Sequence, residues 1–217
     1  MIFSSVVREV RRDGRPDDIL FETAARCGRI ISQTVKQDEK RALRRRIGEL
    51  ARQYGEEWRR EASRQIWERV ERLPQFRRAH TVALYWSLKD EVETHGFVRK
   101  WCVSKRIVLP EVRGEEMVFR EYDPAEGVTP GAFGIGEARG AECPAAAIDL
   151  VVVPGVAFDR SGGRMGRGKG FYDRFLTGCR ACKVGVCFGY QLVGAIPCEE
   201  HDVRMDAVVS VPDVSGQ

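Results

Sequence analysis

The chain has 217 residues, 43% of them hydrophobic and 31% charged, with a net charge of +4. This suits one soluble domain with room for an appendage, and the mild positive charge suits an anionic small molecule without demanding nucleic acid. No apolar run approaches the ~20 residues of a membrane span, no secretory signal order opens the chain, and seven cysteines are an odd number, so a cytoplasmic protein with reduced thiols and no membrane partner is expected.

Residues 1–35 carry a short apolar stretch, a charged stretch and a weakly helical one, and read as an N-terminal extension. The domain proper is expected over 36–217. From Asp38 to Gln53, Leu43, Ile47, Leu50 and Ala51 fall at helical spacing while Lys40, Arg41, Arg44, Arg45 and Arg46 crowd the remaining surface. Such a basic run is ordinarily a solvated face. A second helix follows Gly55, with Trp58, Ala62, Ile66, Trp67, Val70 and Leu73 on its apolar side, and Pro74 ends it. Thr81–Leu88 is apolar almost throughout, as a parallel strand covered on both faces should be. A loop, Lys89–Thr94, leads to a short helix through Phe97, Val98 and Trp101. Lys105–Pro110 reads as a second strand, Met117–Tyr122 as an edge strand, and Asp123–Ala147, rich in Gly, Pro and Ala, as mostly loop. After a central strand beginning at Asp149 come Lys183–Phe188 and Asp206–Ser210. Strands and helices alternate with crossover spacing, which predicts an α/β fold: a three-layer single domain with a mainly parallel sheet and helices on both faces.

The central strand, Asp149-Leu-Val-Val-Val-Pro-Gly-Val-Ala-Phe-Asp159, runs into Arg160-Ser-Gly-Gly-Arg-Met-Gly-Arg-Gly-Lys-Gly170 and then a short amphipathic segment. Strand, glycine-rich loop and helix start in that order make an anion-binding pattern at the carboxyl end of a sheet. Gly162, Gly163, Gly166, Gly168 and Gly170 leave backbone amides open to a phosphate, and Arg164, Arg167 and Lys169 add charge. Gly163 to Lys169 fits the first seven positions of the nucleoside-triphosphate P-loop, but Gly170 stands where a magnesium-binding hydroxyl belongs. A metal would need oxygen from elsewhere. Asp173 is the nearest acid, with a helix-dipole role as its equal alternative, and Asp202 and Asp206 precede the last strand. Cys179-Arg-Ala-Cys182 has half a zinc site's spacing with no second half, which argues against a metal or redox role.

The run Val-Pro-Gly-Val-Ala-Phe-Asp-(x)4-Arg-Met-Gly-Arg-Gly-Lys-Gly-Phe-Tyr-Asp-Arg-Phe-Leu closely resembles the signature of the 5-formyltetrahydrofolate cyclo-ligase family. Three further blocks agree in order: Lys40-Arg-Ala-Leu-Arg44, Ala83-Leu-Tyr-Trp-Ser-Leu-Lys-Asp-Glu-Val-Glu-Thr94, and Gly185–Leu192 with Pro197…His201–Asp206. The resemblance implies ATP- and Mg²⁺-dependent conversion of 5-formyltetrahydrofolate to 5,10-methenyltetrahydrofolate, with the formyl oxygen phosphorylated, N10 closing the ring, and ADP and phosphate released. It implies a ligase whose partners are ATP and a reduced folate; a monomer is expected. By the same resemblance Lys40 and Arg44 reach the ATP phosphates, and Arg164, Gly166, Arg167, Gly168, Lys169, Gly170 and Tyr172 form the ATP cradle, with Arg164, Arg167 and Lys169 as the catalytic cations. Arg167, Gly168, Lys169, Gly170 and Phe171 also face the folate, Glu91 binds the pterin, and Asp173 and Asp206 share Mg²⁺. Trp86 offers an aromatic wall or a core side chain.

Two departures stand out: Phe171 occupies a position where the family commonly has Tyr, and Ala138 one where Pro is expected after a glutamate. Another ATP-dependent phosphotransferase and a non-catalytic folate- or nucleotide-binding protein are the competing readings.

Overall fold

The structure, a computed structural model, describes residues 35–197, 199 and 202–212. Most of the expected N-terminal extension, and Cys198 and His201, lie outside the described residues. Glu39–Gln217 form one compact unit.

Helix α1 covers 35–51 and α2 covers Glu56–Arg72. Leu73 is extended (ψ 129°) as the residue before a proline tends to be, so Pro74 does more than end α2: it opens α3 (Pro74–Arg78) at a first-turn position that needs no amide. Strand β1 (Thr81–Ala83) follows, then α4 (His95–Trp101), β2 (Arg106–Arg113) and β3 (Glu116–Glu121). The stretch expected to be mostly loop holds three two-residue strands, β4 (Thr129–Pro130), β5 (Gly136–Glu137) and β6 (Glu142–Cys143). Then come β7 (Leu150–Val153), β8 (Ala157–Asp159), β9 (Arg164–Met165), α5 (Phe171–Thr177), β10 (Cys182–Cys187), β11 (Leu192–Val193) and β12 (Ala207–Ser210).

The main sheet runs β12-β10-β7-β1-β2-β3-β6. Every neighbour pair from β12 to β2 is parallel, while β3 and β6 are antiparallel additions. Strand β3 is therefore not the edge, because the short β6 covers it. Alternation along the strands sorts the core into two layers. Val82, Leu150, Val152, Val184 and Val186 join Ile47 of α1, Ile66 and Val70 of α2, Phe76 of α3 and Phe97 of α4. Ala83, Val151, Val153 and Cys187 point the other way, with Leu176 of α5 and Phe158 of β8. Both faces of the sheet are covered, and the three-layer α/β expectation holds. No described helix is long and apolar enough to cross a membrane.

Pro154 has no amide to continue the ladder, and the chain leaves β7 there. It returns as a hairpin, β8 against β9, inside a separate three-stranded sheet with order β11-β8-β9. The single central strand expected from the apolar run is thus two strands in two sheets.

Candidate active site

The hairpin is built around Asp159, which is 4% exposed. Its Oδ1 accepts Ser161 N at 2.9 Å, Ser161 Oγ at 2.7 Å and Gly163 N at 2.9 Å, and its Oδ2 accepts Ile196 N at 2.9 Å. Burial pushes its pKa up, but these hydrogen bonds outweigh it and hold the carboxyl below the ordinary range. A Cβ at Gly163 would sit 2.4 Å from Asp159 Oδ2, and one at Gly162 (φ +86°) 2.3 Å from the Met205 carbonyl oxygen. These two glycines are thus required by packing at the hairpin tip rather than by a phosphate. Of the stretch that follows, Arg167 lines the cavity of the site.

Arg164 is 6% exposed. Its guanidinium donates to Asp173 Oδ1 at 2.7 Å and to the Pro154 carbonyl at 3.3 Å, joining the start of α5 to the end of β7. Arg167 lies at the surface. One of its nitrogens meets Asp90 at 2.8 and 2.9 Å and Glu91 Oε1 at 3.3 Å. From α1, Arg44 Nε donates to the Gly166 carbonyl at 3.0 Å. One turn earlier, Lys40 is buried and donates to Glu199 at 2.9 Å and Asp202 at 2.8 Å. Burial lowers its pKa, and the two carboxylates more than reverse that, so Lys40 stays charged. The Lys169 carbonyl and the Glu115 carbonyl both accept from Arg174, whose guanidinium lies 5.3 Å from the Phe171 ring centroid.

Glu91 stands on a tightly braced turn. Ser87 and Thr94 exchange amide-to-hydroxyl hydrogen bonds, each 3.0 Å, and Tyr85 Oη donates to Val92 O at 2.8 Å. The Leu88 amide donates to Glu91 Oε2 at 3.0 Å. The side chain of Glu91 is 14% exposed. Burial raises its pKa, opposed by the Leu88 amide and Arg167 and assisted by Asp90.

These elements enclose a cavity of about 280 Å³ lined by Arg44, Ile47, Gly48 and Ala51 of α1, Asp90 and Glu91, Gly155 and Val156, Arg167, and Gln191. Gln191 fixes its floor by donating to the carbonyls of Gly155 (3.1 Å) and Val156 (3.2 Å). The volume is near the lower end for small-ligand sites. One buried carboxylate, apolar walls and a cationic rim suit a planar ring with adjacent N–H donors that also carries or meets an anion.

Of the residues expected from the sequence, Arg44, Glu91 and Arg167 line the cavity, Gly166 is tied to Arg44, Arg164 is tied to Asp173, and Lys40 is tied to Glu199 and Asp202. Trp86 instead stacks on His95, with ring centroids 4.1 Å apart. Cys179 and Cys182 are free thiols. Asp206 is not brought to Asp173. Its Oδ2 accepts the Lys183 amide at 2.7 Å, at the amino end of β10. Lys183 is in register with Val151, so Pro154, where Arg164 and Asp173 gather, is three residues or about 10 Å further along the strand. Ligands of one magnesium ion each lie about 2 Å from it, so the shared Asp173–Asp206 site is corrected. The acid of that block on the Lys40 side is Asp202. Asp90 and Glu199 were not singled out from the sequence.

The model of the 5-formyltetrahydrofolate cyclo-ligase family matches residues 36–211. The 5-formyltetrahydrofolate cyclo-ligase of Escherichia coli strain K12 is 32% identical over 160 residues, 69% of this chain and 88% of that protein. The Mus musculus 5-formyltetrahydrofolate cyclo-ligase is 27% identical over 187 residues, 78% of this chain and 92% of that protein. The NMR structure of Aquifex aeolicus 5,10-methenyltetrahydrofolate synthetase matches with a TM-score of 0.73 at 35% identity, covering 79% of this chain and 89% of that one. A 5,10-methenyltetrahydrofolate synthetase from Mycoplasma pneumoniae, 24% identical with a TM-score of 0.64, shares the fold.

Proposed function

The chain belongs to the 5-formyltetrahydrofolate cyclo-ligase family, and from that membership we propose that it is an enzyme converting 5-formyltetrahydrofolate to 5,10-methenyltetrahydrofolate at the expense of ATP. The observation that carries this reading is the cavity in which buried Glu91 faces Arg167 and Arg44. A carboxylate accepts two parallel hydrogen bonds from a pterin's ring N–H and amino group, and Glu91 is already oriented for it by the Leu88 amide. Residues 36–217 form the catalytic domain, 1–35 an extension, and the enzyme acts as a cytoplasmic monomer.

A formyl amide oxygen is a poor leaving group until it is phosphorylated. Phosphoryl transfer to that oxygen, attack of N10 on the activated carbon and loss of phosphate ask the protein mainly for positioning and charge neutralisation. Arg44, Arg167 and Lys169 meet the phosphates, and Lys40 joins them from one turn before Arg44. For this, Arg167 exchanges Asp90 and Glu91 for phosphate oxygen, which frees Glu91 for the pterin. Arg164 holds Asp173 in place. Gly166, Gly168 and Gly170 let backbone amides approach the nucleotide, Tyr172 closes the cradle, and Phe171 presents an apolar ring to the folate.

The residues present fit magnesium as a substrate-bound ion. Asp173 spends one oxygen on Arg164, and its Oδ2 has no hydrogen-bond partner among the described residues. Magnesium ordinarily takes one or two carboxylates and completes its shell with phosphate oxygens and water. Asp173, with Asp202 beside Lys40, would hold it, and it would neutralise charge on the phosphates. The test is an absorbance assay with 5-formyltetrahydrofolate, ATP and Mg²⁺. A rise in the near-ultraviolet band of the methenyl product is expected. ATP hydrolysis that ignores the folate would favour a phosphotransferase, and binding without turnover a non-catalytic role.

A further inference from the structure

Two buried donors, Tyr172 Oη and Arg164 Nε, have no hydrogen-bond partner among the described residues. Their neighbours do not share this condition. The buried hydroxyl of Tyr85 donates to Val92 O at 2.8 Å, and those of Ser87 and Thr94 accept backbone amides. Buried polar groups are nearly always paired, so an orphan in a cleft points to an absent ligand atom.

The position of Tyr172 narrows what that atom is. It stands in the first turn of α5 beside Asp173, and the Arg164 guanidinium lies 5.6 Å from its ring centroid. The stem of Arg164 runs behind Gly155, where a Cβ would meet Arg164 Cγ at 3.3 Å. Gly155 in turn lines the cavity that holds Glu91. Tyr172 therefore stands beside Arg164, whose stem backs the wall of the cavity that Glu91 lines. A phenol keeps its proton near neutral pH, so the hydroxyl is available as a donor.

We propose that Tyr172 is a catalytic residue of the folate half of the site, its hydroxyl donating a hydrogen bond to the oxygen of the N5-formyl group. This rests on the folate reading above and moves Tyr172 from the ATP cradle to the junction of the two substrates. The pterin end lies at Glu91 and the phosphates at the arginines, so the atom between them is the oxygen that links formyl carbon to phosphorus. When N10 attacks the formyl carbon, the N10–C bond forms and the N10 proton passes to water, while the bond from carbon to that oxygen breaks and its electron pair leaves with phosphate. A fixed donor aimed at this oxygen stabilises the charge as it develops and transfers no proton.

The test is Tyr172→Phe in the full chain, read in three ways. Removing an unpaired buried hydroxyl should leave the thermal midpoint of the ligand-free protein unchanged or slightly raised. The kcat should fall roughly ten- to a hundred-fold, the range expected for losing one donor to a developing oxyanion. The Kd for ATP with Mg²⁺, measured by calorimetry, should stay within about twofold, well under the tenfold step of 1.4 kcal/mol. An unchanged kcat, a loss confined to ATP affinity, or a variant that unfolds because the hydroxyl has a structural partner would each overturn the proposal. A wild-type protein that binds no 5-formyltetrahydrofolate in the same calorimeter would sink the folate reading itself. Wild-type turnover with an unimpaired variant would sink only the role of Tyr172.

Discussion

Glu91 carries two opposed demands. Burial and the nearby Asp90 hold it above the ordinary carboxylate pKa of 4.5 in the folded protein, yet the proposed function needs it ionised to accept two pterin donors. A carboxyl whose folded pKa is raised contributes stability below its unfolded pKa and loses it as pH rises through the folded value. At neutral pH the ionised Glu91 is therefore a cost to the ligand-free protein. Glu91→Gln is expected to raise the thermal midpoint while weakening folate affinity about ten- to a hundred-fold, the worth of a charge-assisted pair. Folate affinity of the wild type should fall on acidification with an apparent pKa above 4.5; a profile flat down to ordinary carboxylate pH would contradict this role. Glu91 was legible in the sequence only through its Glu-Val-Glu-Thr context. The bracing of its turn, Ser87 with Thr94 and Tyr85 with Val92, joins residues seven apart across a non-regular turn, which no periodicity reveals.

At the level of elements, the glycine-rich stretch divides into two parts with different reasons for glycine. Gly162 and Gly163 let the β8–β9 hairpin tip press against Met205 and Asp159, whereas a Cβ at Gly166, Gly168 or Gly170 would meet the side chains of Arg164, Arg44 and Arg174. Gly162→Ala meets both a left-handed φ of +86° and a backbone oxygen at 2.3 Å, and should cost at least about 2 kcal/mol of stability. Urea unfolding checks this, and a loss under about 0.5 kcal/mol, the scatter of ordinary surface changes, would contradict it. The sequence signalled a glycine loop after a buried strand, and both are present. It did not signal that Arg164 belongs to a strand and is buried, because a two-residue strand has no pattern of its own. The misread length of the central strand has a similar cause: Val156–Phe158 continues the apolar run, and only the missing amide of Pro154 separates β7 from β8.

For the whole molecule, the alternation of apolar runs with helices was enough to predict the parallel sheet and its two covered faces. The antiparallel margin was not predictable in detail, since β6 has two residues and pairs with the distant β3, while β4 and β5, also of two residues each, form a hairpin of their own. The same long-range geometry separates Asp206 from Asp173. Asp206 ties the start of β12 to β10 through the Lys183 amide, so Asp206→Asn should lower stability by about 1 kcal/mol, the value of a typical hydrogen bond, and leave the Mg²⁺ concentration giving half-maximal rate unchanged. A shift in that concentration with unaltered stability would restore Asp206 to the metal. The central claim is that one site couples the cavity at Glu91 to the cations of the glycine loop. Its most direct test is the ratio of ADP released to methenyl product formed when purified protein receives 5-formyltetrahydrofolate, ATP and Mg²⁺ together. A one-to-one ratio, with both products absent when either substrate is omitted, is the predicted result. ADP release that continues without folate, or no methenyl product with all three present, would contradict it.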